Sequence, residues 1–547
     1  MNRNITYRHI GRGILFFSTF LLFSMPPLQL KGQDSLLLRD YQFVKEDNPW
    51  LTSRNKAAIT TFVPQSITTA ELSLTGQKGG FTNYDDSPMT LQIGAGIESL
   101  YRISQRTVLT GSISYNYFSG KDMAGSAFIP IAAHRPFDIV EDSLTNLGKK
   151  HLDTYQLSGG FGTDIYRGIS IGANIDYTAA NYAKYKDLRH QNKLMNLSIS
   201  AGVLFPLGKW GKIGANYLYQ RKTESLDFGT YGTSDKVYKS LIDYANFTGH
   251  VEQFGNEGYT DKNHEMPLVD NCNGGNVQLS LLSAQKLQLF AEAGYVHRTG
   301  YYGRKSPYTI TYTNHHSNSY QYKVQLRHST SRARYLCDFF LNIENLENQA
   351  NTYRETKNES GATSYNYFTP VKTANKLWKN YGLAFTLHLG IRHELPTWTL
   401  QAGFNGMERE QTAYLYPFYR RQHLISQEFF GNIAYHLTTK RGVWSFTLNG
   451  SFKQGEGLPY EDLTFEQPSD KQPLPPEMRA YLYREYQYLT SAQYCVGGQV
   501  KYAFIFPHTR LKTHARIGLS HRKANETNEY SDGCDRTTAT LAIGCTF

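Results

Sequence analysis

The chain has 547 residues, among them 41 Tyr, 30 Phe, 5 Trp and 46 Gly, with only 19% charged residues and a formal net charge of +11. At a mean hydropathy of −0.50 it is too polar for a bundle of membrane helices, each of which needs roughly 20 apolar residues. It is too aromatic for a disordered chain. Four of the basic residues (Arg3, Arg8, Arg12, Lys31) fall in residues 1–32, which contain no acid. The remainder is only mildly basic and has no Lys/Arg block, so a nucleic-acid partner is not expected.

Residues 1–32 read as a signal peptide. Three arginines precede a short apolar core, Ile14 to Met25, and Lys31-Gly32-Gln33 offers a cleavage site near Gly32. The core is too short to span a bilayer. The first cysteine is Cys272, so no lipid-modified cysteine follows the cleavage site. Residues 33–65 are read as a periplasmic N-terminal segment or a short hatch. They are too few for the large plug domain that TonB-dependent receptors carry before their barrel.

From about residue 66 the chain falls into segments of 10–14 residues with period two. One phase of 89–101 reads Met89, Leu91, Ile93, Ala95, Ile97, Ser99, Tyr101, and the other Thr90, Gln92, Gly94, Gly96, Glu98. The same alternation recurs over 169–177 and 195–205, where the polar phase is Ser170, Gly172, Asn174, Asp176 and then Asn196, Ser198, Ser200, Gly202. Strict alternation makes strands with one apolar and one polar face. Strands of soluble domains are usually about 5–6 residues long. These match the roughly 9–11 residues of a tilted membrane-spanning strand, with lipid outside and water inside.

Short connections fall at Ile103–Gln105, Tyr166–Gly168, Pro206–Lys209, Ala284–Lys286, Ser329–Ser331, Arg392–Thr397, Thr438–Gly442 and Ile505–Thr509. Long ones lie near 119–152, 222–275, 345–378 and 455–490. This predicts an all-β fold: a transmembrane antiparallel β-barrel over 66–547, with short periplasmic turns and long extracellular loops. The count is about 18 strands, with 16 as the alternative. The first is near 66–76 and the last is 535–547, and an even number returns both ends to the periplasm. The expected location is the outer membrane of a Gram-negative bacterium. Tyr115, Tyr117, Tyr155, Tyr177, Tyr217, Tyr219, Tyr295, Tyr320 and Tyr322 fall on the apolar phase near the long-loop ends. Trp210, Trp398, Trp444 and Phe205 fall near the short-turn ends. Two interfacial girdles account for both sets.

The last strand carries Thr537, Ala539, Leu541, Ile543, Cys545 and Phe547 on its outward phase. An amphipathic strand ending in Phe547 resembles the signal read by the outer-membrane barrel-assembly machinery, which that resemblance implies as a partner beside membrane lipid. With Asn48-Pro49-Trp50-Leu51 and Ser53 to Ala58, it makes the chain resemble an uncharacterised Bacteroidetes-type family of large outer-membrane β-barrels. The Asn48-Pro49-Trp50 segment is also similar to the entry segment of the long-chain fatty-acid transporter family. That similarity implies a hatch in the lumen.

The lumen-facing phase selects charged candidates. Glu71, Glu98, Asp164 and Asp176 come from early strands. Arg298, Lys323, Arg327 and Arg334 come from the middle, and Lys453, Lys501, Lys512 and Arg516 from late strands. Opposed walls of charge would set up a transverse field that selects polar solutes; charges paired inside the barrel would merely fill it. Tyr301, Tyr302, Tyr308 and Tyr312, and Tyr414, Tyr416, Phe418 and Tyr419 with Arg420 and Arg421, are assigned to loops. There they could bind a partner or pack over the mouth. Cys272 and Cys534 sit in or beside outer loops, where free thiols are the default expectation and a disulfide between them the alternative. The histidines are scattered, and neither HExxH nor CxxC occurs. His315 and His316, assigned to a loop, are adjacent and point apart on an extended chain. No enzyme activity, metal or cofactor is expected. The function expected is an outer-membrane channel or transporter for polar solutes. The alternative is a plugged barrel acting as partner or anchor of a surface uptake or secretion complex, with other envelope uptake proteins as partners.

Overall fold

Antiparallel ladder hydrogen bonds run without a break around the molecule. The structure, a computed structural model, describes residues 40–547 except 131–133, 142–145, 233–234, 256–257, 262–264, 283–285, 358, 360, 393–394, 506–510 and 528. The predicted signal peptide, and most of the turns predicted at Ala284–Lys286 and Ile505–Thr509, lie outside the described residues. In chain order the strands begin with β1 (Ser66–Lys78), β2 (Met89–Arg102), β3 (Thr107–Met123), β4 (Asp138–Glu141), β5 (Gly148–Tyr166), β6 (Ile169–Lys184), β7 (Arg189–Pro206) and β8 (Gly211–Gly229). They continue with β9 (Lys239–Ala245), β10 (Thr248–Gln253), β11 (Met266–Leu282), β12 (Leu287–Ser306), β13 (Thr309–Ser329), β14 (Ala333–Ala350), β15 (Tyr353–Lys357) and β16 (Thr363–Tyr367). The last are β17 (Val371–Leu389), β18 (Trp398–Leu415), β19 (Phe418–Thr438), β20 (Val443–Thr464), β21 (Gln493–Ile505), β22 (Lys512–Ala524) and β23 (Asp535–Thr546).

Eighteen of these form one sheet; β4, β9 and β10 form a second, and β15 and β16 a hairpin. β1 pairs with β2 on one side and β23 on the other, so the large sheet closes. The seam ends on a reciprocal pair: Thr68 and Phe547 each donate their N–H to the other's carbonyl at 2.9 Å. The expected 18-stranded barrel is therefore what the chain forms.

The alternation sorts side chains as read. Leu91, Ile93 and Ile97 on β2, Ile171 and Ile175 on β6, and Leu541 and Ile543 on β23 are exposed on the outside. The aromatic bands pair across ladders. Tyr115 meets Tyr155 at 5.0 Å and Tyr295 meets Tyr320 at 5.4 Å toward the long-loop end. Trp398 meets Tyr435 at 4.5 Å and Trp444 meets Tyr502 at 4.4 Å toward the short-turn end. A closed barrel with an apolar exterior satisfies every backbone group without water, and bacterial barrels of even strand number are outer-membrane structures. The protein is an outer-membrane barrel.

The strands outrun their predicted length. They span 12 residues in β23 to 22 in β20, because ladder pairing continues beyond the membrane into the extracellular space. The long connections are correspondingly shorter: 124–147, 230–265, 351–370 and 465–492. Several residues assigned to loops are thus on strands. Tyr301 and Tyr302 end β12, and Tyr312, His315 and His316 lie in β13; the turn between these strands is Pro307 and Tyr308 alone. Tyr414 lies in β18, and Phe418, Tyr419, Arg420 and Arg421 in β19, joined by Tyr416 and Pro417. The rim is slanted. β21, β22, β23, β1 and β2 have 12–14 residues, whereas the barrel strands from β12 to β20 have 18–22.

The apolar core lies inside the barrel, at both ends. At the extracellular end Phe128, Phe137, Tyr259, Tyr302 and Tyr312 pack together from two loops and two strands. Helix α3 (Arg479–Thr490) adds Tyr481 and Leu482 against Val140, Leu241 and Phe247. At the other end sit the residues that precede β1.

All five cysteines are free. This is the default reading; the alternative Cys272–Cys534 bridge does not form, since Cys272 is buried within β11, on the opposite side of the sheet order from Cys534, which immediately precedes β23. Alkylation of the unfolded protein without reductant should therefore add five labels; three labels would mean that a pair is oxidised.

Candidate functional site

Residues 40–62 form a segment that crosses the lumen at the short-turn end. Three side-chain caps break it into short turns. Asp40 accepts from the Phe43 N–H at 3.0 Å and opens α1 (Tyr41–Asp47). Asn48 accepts from Trp50 N at 3.2 Å and opens α2 (Pro49–Thr52), with Pro49 in the first turn. Asn55 accepts from Ala57 N at 3.1 Å and opens a 3-10 helix (Lys56–Thr61). Such caps satisfy orphan helix donors and set where each turn begins.

The segment touches the wall on all sides. Phe43 meets His388 of β17 edge-on at 5.2 Å, and Trp50 meets Phe290 of β12 at 5.1 Å. Asn55 is fully buried and donates to the carbonyls of Val203 on β7 (2.8 Å) and Ala215 on β8 (3.3 Å), and to Gln278 on β11 (3.2 Å). Thr60 and Ser170 of β6 share a hydrogen bond at 3.0 Å. Arg102 of β2 binds the carbonyls of Thr60 and Phe62. Trp50, Ala57, Ala58, Ile59 and Phe62 are buried, and a fully buried large side chain among them contributes about 2 kcal/mol.

The wall is shaped for this segment. Gly162, Gly172 and Gly202 stand directly opposite one another on β5, β6 and β7. A Cβ on Gly162 or Gly172 would collide with backbone atoms of Lys56 and Ala57, and one on Gly202 with the Asn55 side chain. Three bare positions in one row let a helical backbone lie flat on the sheet.

Six of the predicted lumenal charges reach this segment. Glu98 holds Lys45 at 2.7 Å. Arg327 and Arg334 both bind Asp47, the first at 2.7 Å. Lys323 donates to Thr52 at 3.2 Å, and Lys501 stands 3.8 Å from Asp40. Lys512 is buried beside Asp40; burial pushes that carboxyl up, but Lys501, Lys512 and the Phe43 N–H more than offset it, leaving it below its ordinary value. The other six pair elsewhere. Glu71 accepts from Arg516 at 2.5 Å and from His514 at 3.1 Å. Asp164 takes the Ser170 hydroxyl, and Asp176 takes Ser158 (2.6 Å) and Asn174 (2.7 Å). Arg298 binds Glu344 at 2.7 Å, and Lys453 lies over the Tyr488 ring at 5.7 Å. Each of the twelve charges thus has a neighbour in contact. Ser170 also completes a Gly168-Ile169-Ser170-Ile171-Gly172 sequence with the spelling of a nucleophile elbow. It starts a barrel strand rather than a strand-to-helix turn and binds Asp164 and Thr60, so it lacks the geometry of that elbow.

A second constellation, not read from the sequence, lies under the extracellular loops. A cavity of about 210 Å³ is lined by Asp85, Arg135, Asp138, Asp243, Lys376, Arg409 and Glu485, with Tyr84, Phe137, Phe247 and Trp378 among its aromatic walls. These come from the β1–β2 loop, the β3–β5 loop, the β9–β10 hairpin, β17, β18 and α3. Arg135 pairs with Asp138 at 2.8 Å, and Arg409 grips Glu485 with two bonds of 2.9 and 2.8 Å. Burial pushes Asp85 up to about 7, with Asp86 and Asp138 adding to the shift and Arg135 opposing it. Burial likewise raises Asp243, against the pull of Lys376. On the outer rim Glu408, Glu410 and His423 bring three potential ligand atoms within 4.8 Å. Lys379 already donates to Glu408 at 3.1 Å, and Glu410 and His423 are exposed, so this is a solvated ion-pair cluster.

Comparison with known proteins adds a family. A family model matches residues 56–547. The chain belongs to DUF6850, a family of unknown function. The match begins at the 3-10 helix and takes in the whole barrel. No curated protein matches the chain. Among solved structures it is similar to BauA, the ferric preacinetobactin receptor of Acinetobacter baumannii, at 9% identity and a TM-score of 0.40, covering 89% of this chain and 80% of that one. It is also similar to the outer membrane transporter YddB of Escherichia coli, at 8% identity and a TM-score of 0.38, over 88% and 81%. P. aeruginosa FpvA bound to heterologous pyoverdines matches at 10% and 0.40, over 88% and 72%. Likenesses this remote assign neither a ligand nor a role.

Two outcomes follow from the geometry. Gly172→Val should leave the barrel folded and heat-modifiable but unseat residues 40–62, since overpacking costs about 1–3 kcal/mol. Trypsin should then cut at Lys45, Arg54 or Lys56 at least ~10-fold faster than in the wild type; equal resistance would show that the glycine row is not a seat. The second concerns Asp85. Between its ordinary value of 3.8 and about 7, the folded chain keeps a proton that the unfolded chain has lost. Stability therefore falls as pH rises through that window and stays lower above it. The extracellular loops should resist protease better at pH 5 than at pH 8, and Asp85→Asn should reduce that difference.

Proposed function

We propose that this protein is a gated outer-membrane transporter for a polar solute, and that residues 40–62 are its hatch. The observation that carries this reading is the seat itself. The wall devotes a glycine row, a buried asparagine socket and six charged side chains to a segment that lies across the lumen. A passive open channel has no use for such a fitting. The hatch is held unevenly. Its C-terminal part, around Ala57 to Phe62, is buried, while α1 is fastened by half-exposed ion pairs of Lys45 and Asp47 with Glu98, Arg327 and Arg334. Exposed pairs of this kind contribute only about 0–1 kcal/mol each, so α1 is the end from which release begins.

A second reading, a plugged barrel anchoring a surface complex, is favoured by the packing at the other end. Loops 124–147 and 230–265 with α3 fill the extracellular mouth around the same buried aromatics.

Planar-bilayer recording separates the two. The refolded wild type should be silent or nearly so, and Gly172→Val should give stable conductance steps. Large steps from the wild type would contradict gating, and silence from both proteins would favour the anchor. A disulfide lock gives an independent check. Thr60→Cys with Ser170→Cys replaces two hydroxyls 3.0 Å apart. Introduced into the conducting Gly172→Val background, the oxidised pair should restore silence and reduction should reopen the pore.

A further inference from the structure

The cavity under the extracellular loops holds buried charges of both signs that do not meet. Asp243 is 8% exposed and Lys376 is 6% exposed. Both line the cavity, yet among the described residues neither they nor Asp85 forms an ion pair within 4 Å. Asp243 accepts only the Thr248 N–H, at 3.1 Å, and Lys376 donates only to the Arg135 carbonyl, at 3.1 Å. An ammonium has three donors and a carboxylate about four acceptor positions, so most of the capacity of each group is unused. Charges taken out of water cost several kcal/mol per ion unless paired. The other charges of the cavity are pinned. Arg135 is tied to Asp138, and Arg409 to Glu485, so they form fixed walls.

We propose that this cavity binds a small zwitterionic solute of the amino-acid type. Its ammonium group faces Asp85 and Asp243, its carboxylate faces Lys376, and its side chain lies against the rings of Tyr84, Phe247 and Trp378. The proposal deepens the transporter reading by naming the class of solute, but the binding step itself does not depend on transport.

The backbone at the cavity supports it independently. Asn246 and Phe247, at the tip of the β9–β10 hairpin, have φ of +55° and +53°. Two successive left-handed residues suit a tight hairpin whose second position is normally glycine. Phenylalanine there costs about 1–2 kcal/mol. The strain is held by Tyr84 at 4.9 Å and Tyr481 at 5.4 Å from the Phe247 ring. Asn246 adds a hydrogen bond from its amide to the Gln411 carbonyl, at 3.0 Å. Both strained residues line the cavity, and strain kept in place by surrounding packing clusters at ligand sites.

Titration calorimetry of the full-length protein in detergent, with L-glutamine, propionate and butylamine as probes, tests this. Glutamine should bind, and propionate and butylamine should each bind at least ~10-fold weaker, because each satisfies one sign of charge only. Asp243→Asn and Lys376→Gln should each weaken glutamine at least ~10-fold, provided that heat-modifiable mobility shows the barrel intact. Glu410→Gln, exposed on the outer rim and outside the cavity, should leave binding unchanged and serves as the control. No heat with glutamine would overturn the proposal, as would butylamine or propionate binding equally well. Because calorimetry needs no flux, glutamine binding by a protein whose Gly172→Val variant also stays silent in the bilayer would refute the transporter reading alone.

Discussion

Everything in this molecule hangs on one closed circuit of backbone hydrogen bonds. In lipid an unpaired N–H or C=O costs several kcal/mol, so the sheet must end where it begins. The junction of β1 with β23, finished by Thr68 and Phe547, meets that demand. Closure in turn fixes the alternation of every strand. It leaves an interior whose walls are Ser, Asn, Gly and charge, and which an 18-stranded ring makes too wide for its own side chains to fill.

The chain fills that interior with itself, differently at its two ends. At the short-turn end a segment preceding β1 brings its own caps and counter-charges. At the other end loops build an aromatic core of the soluble kind, around Phe128, Phe137 and Tyr302. The charged groups between these fillings are the expensive part, because low-dielectric surroundings amplify both pairing and its failure. Most are paired. Asp85, Asp243 and Lys376, which form no ion pair among the described residues, share one cavity and bring charges of both signs to it.

Much of the architecture was legible in the sequence because a period of two records inside and outside one residue at a time. The run from Met89 to Tyr101 is enough to orient β2, and the short turns supply the strand count. What could not be read was whatever depends on register between distant strands. Gly172 and Gly202 stood out on the polar phase, but that they form a row with Gly162 follows only once β5, β6 and β7 are aligned. Phase marks Arg327 as inward without saying that its partner is Asp47, 280 positions away. The cavity charges come from six separated pieces of chain and have no spacing to recognise. Tyr301, Tyr312, Tyr414 and Tyr419 were misplaced for a different reason. Proline and tyrosine in a two-residue turn carry no Asn-Gly signal, so long paired strand tips looked like loops.

The slanted rim has a consequence of its own. At about 3.4 Å per residue, the nine or so residues by which β20 exceeds β1 amount to roughly 30 Å of strand standing clear on one side only. Against a membrane of uniform thickness this makes a parapet with a low flank. Antibodies, phage and surface polysaccharide approaching the cell encounter the β12–β20 crest first.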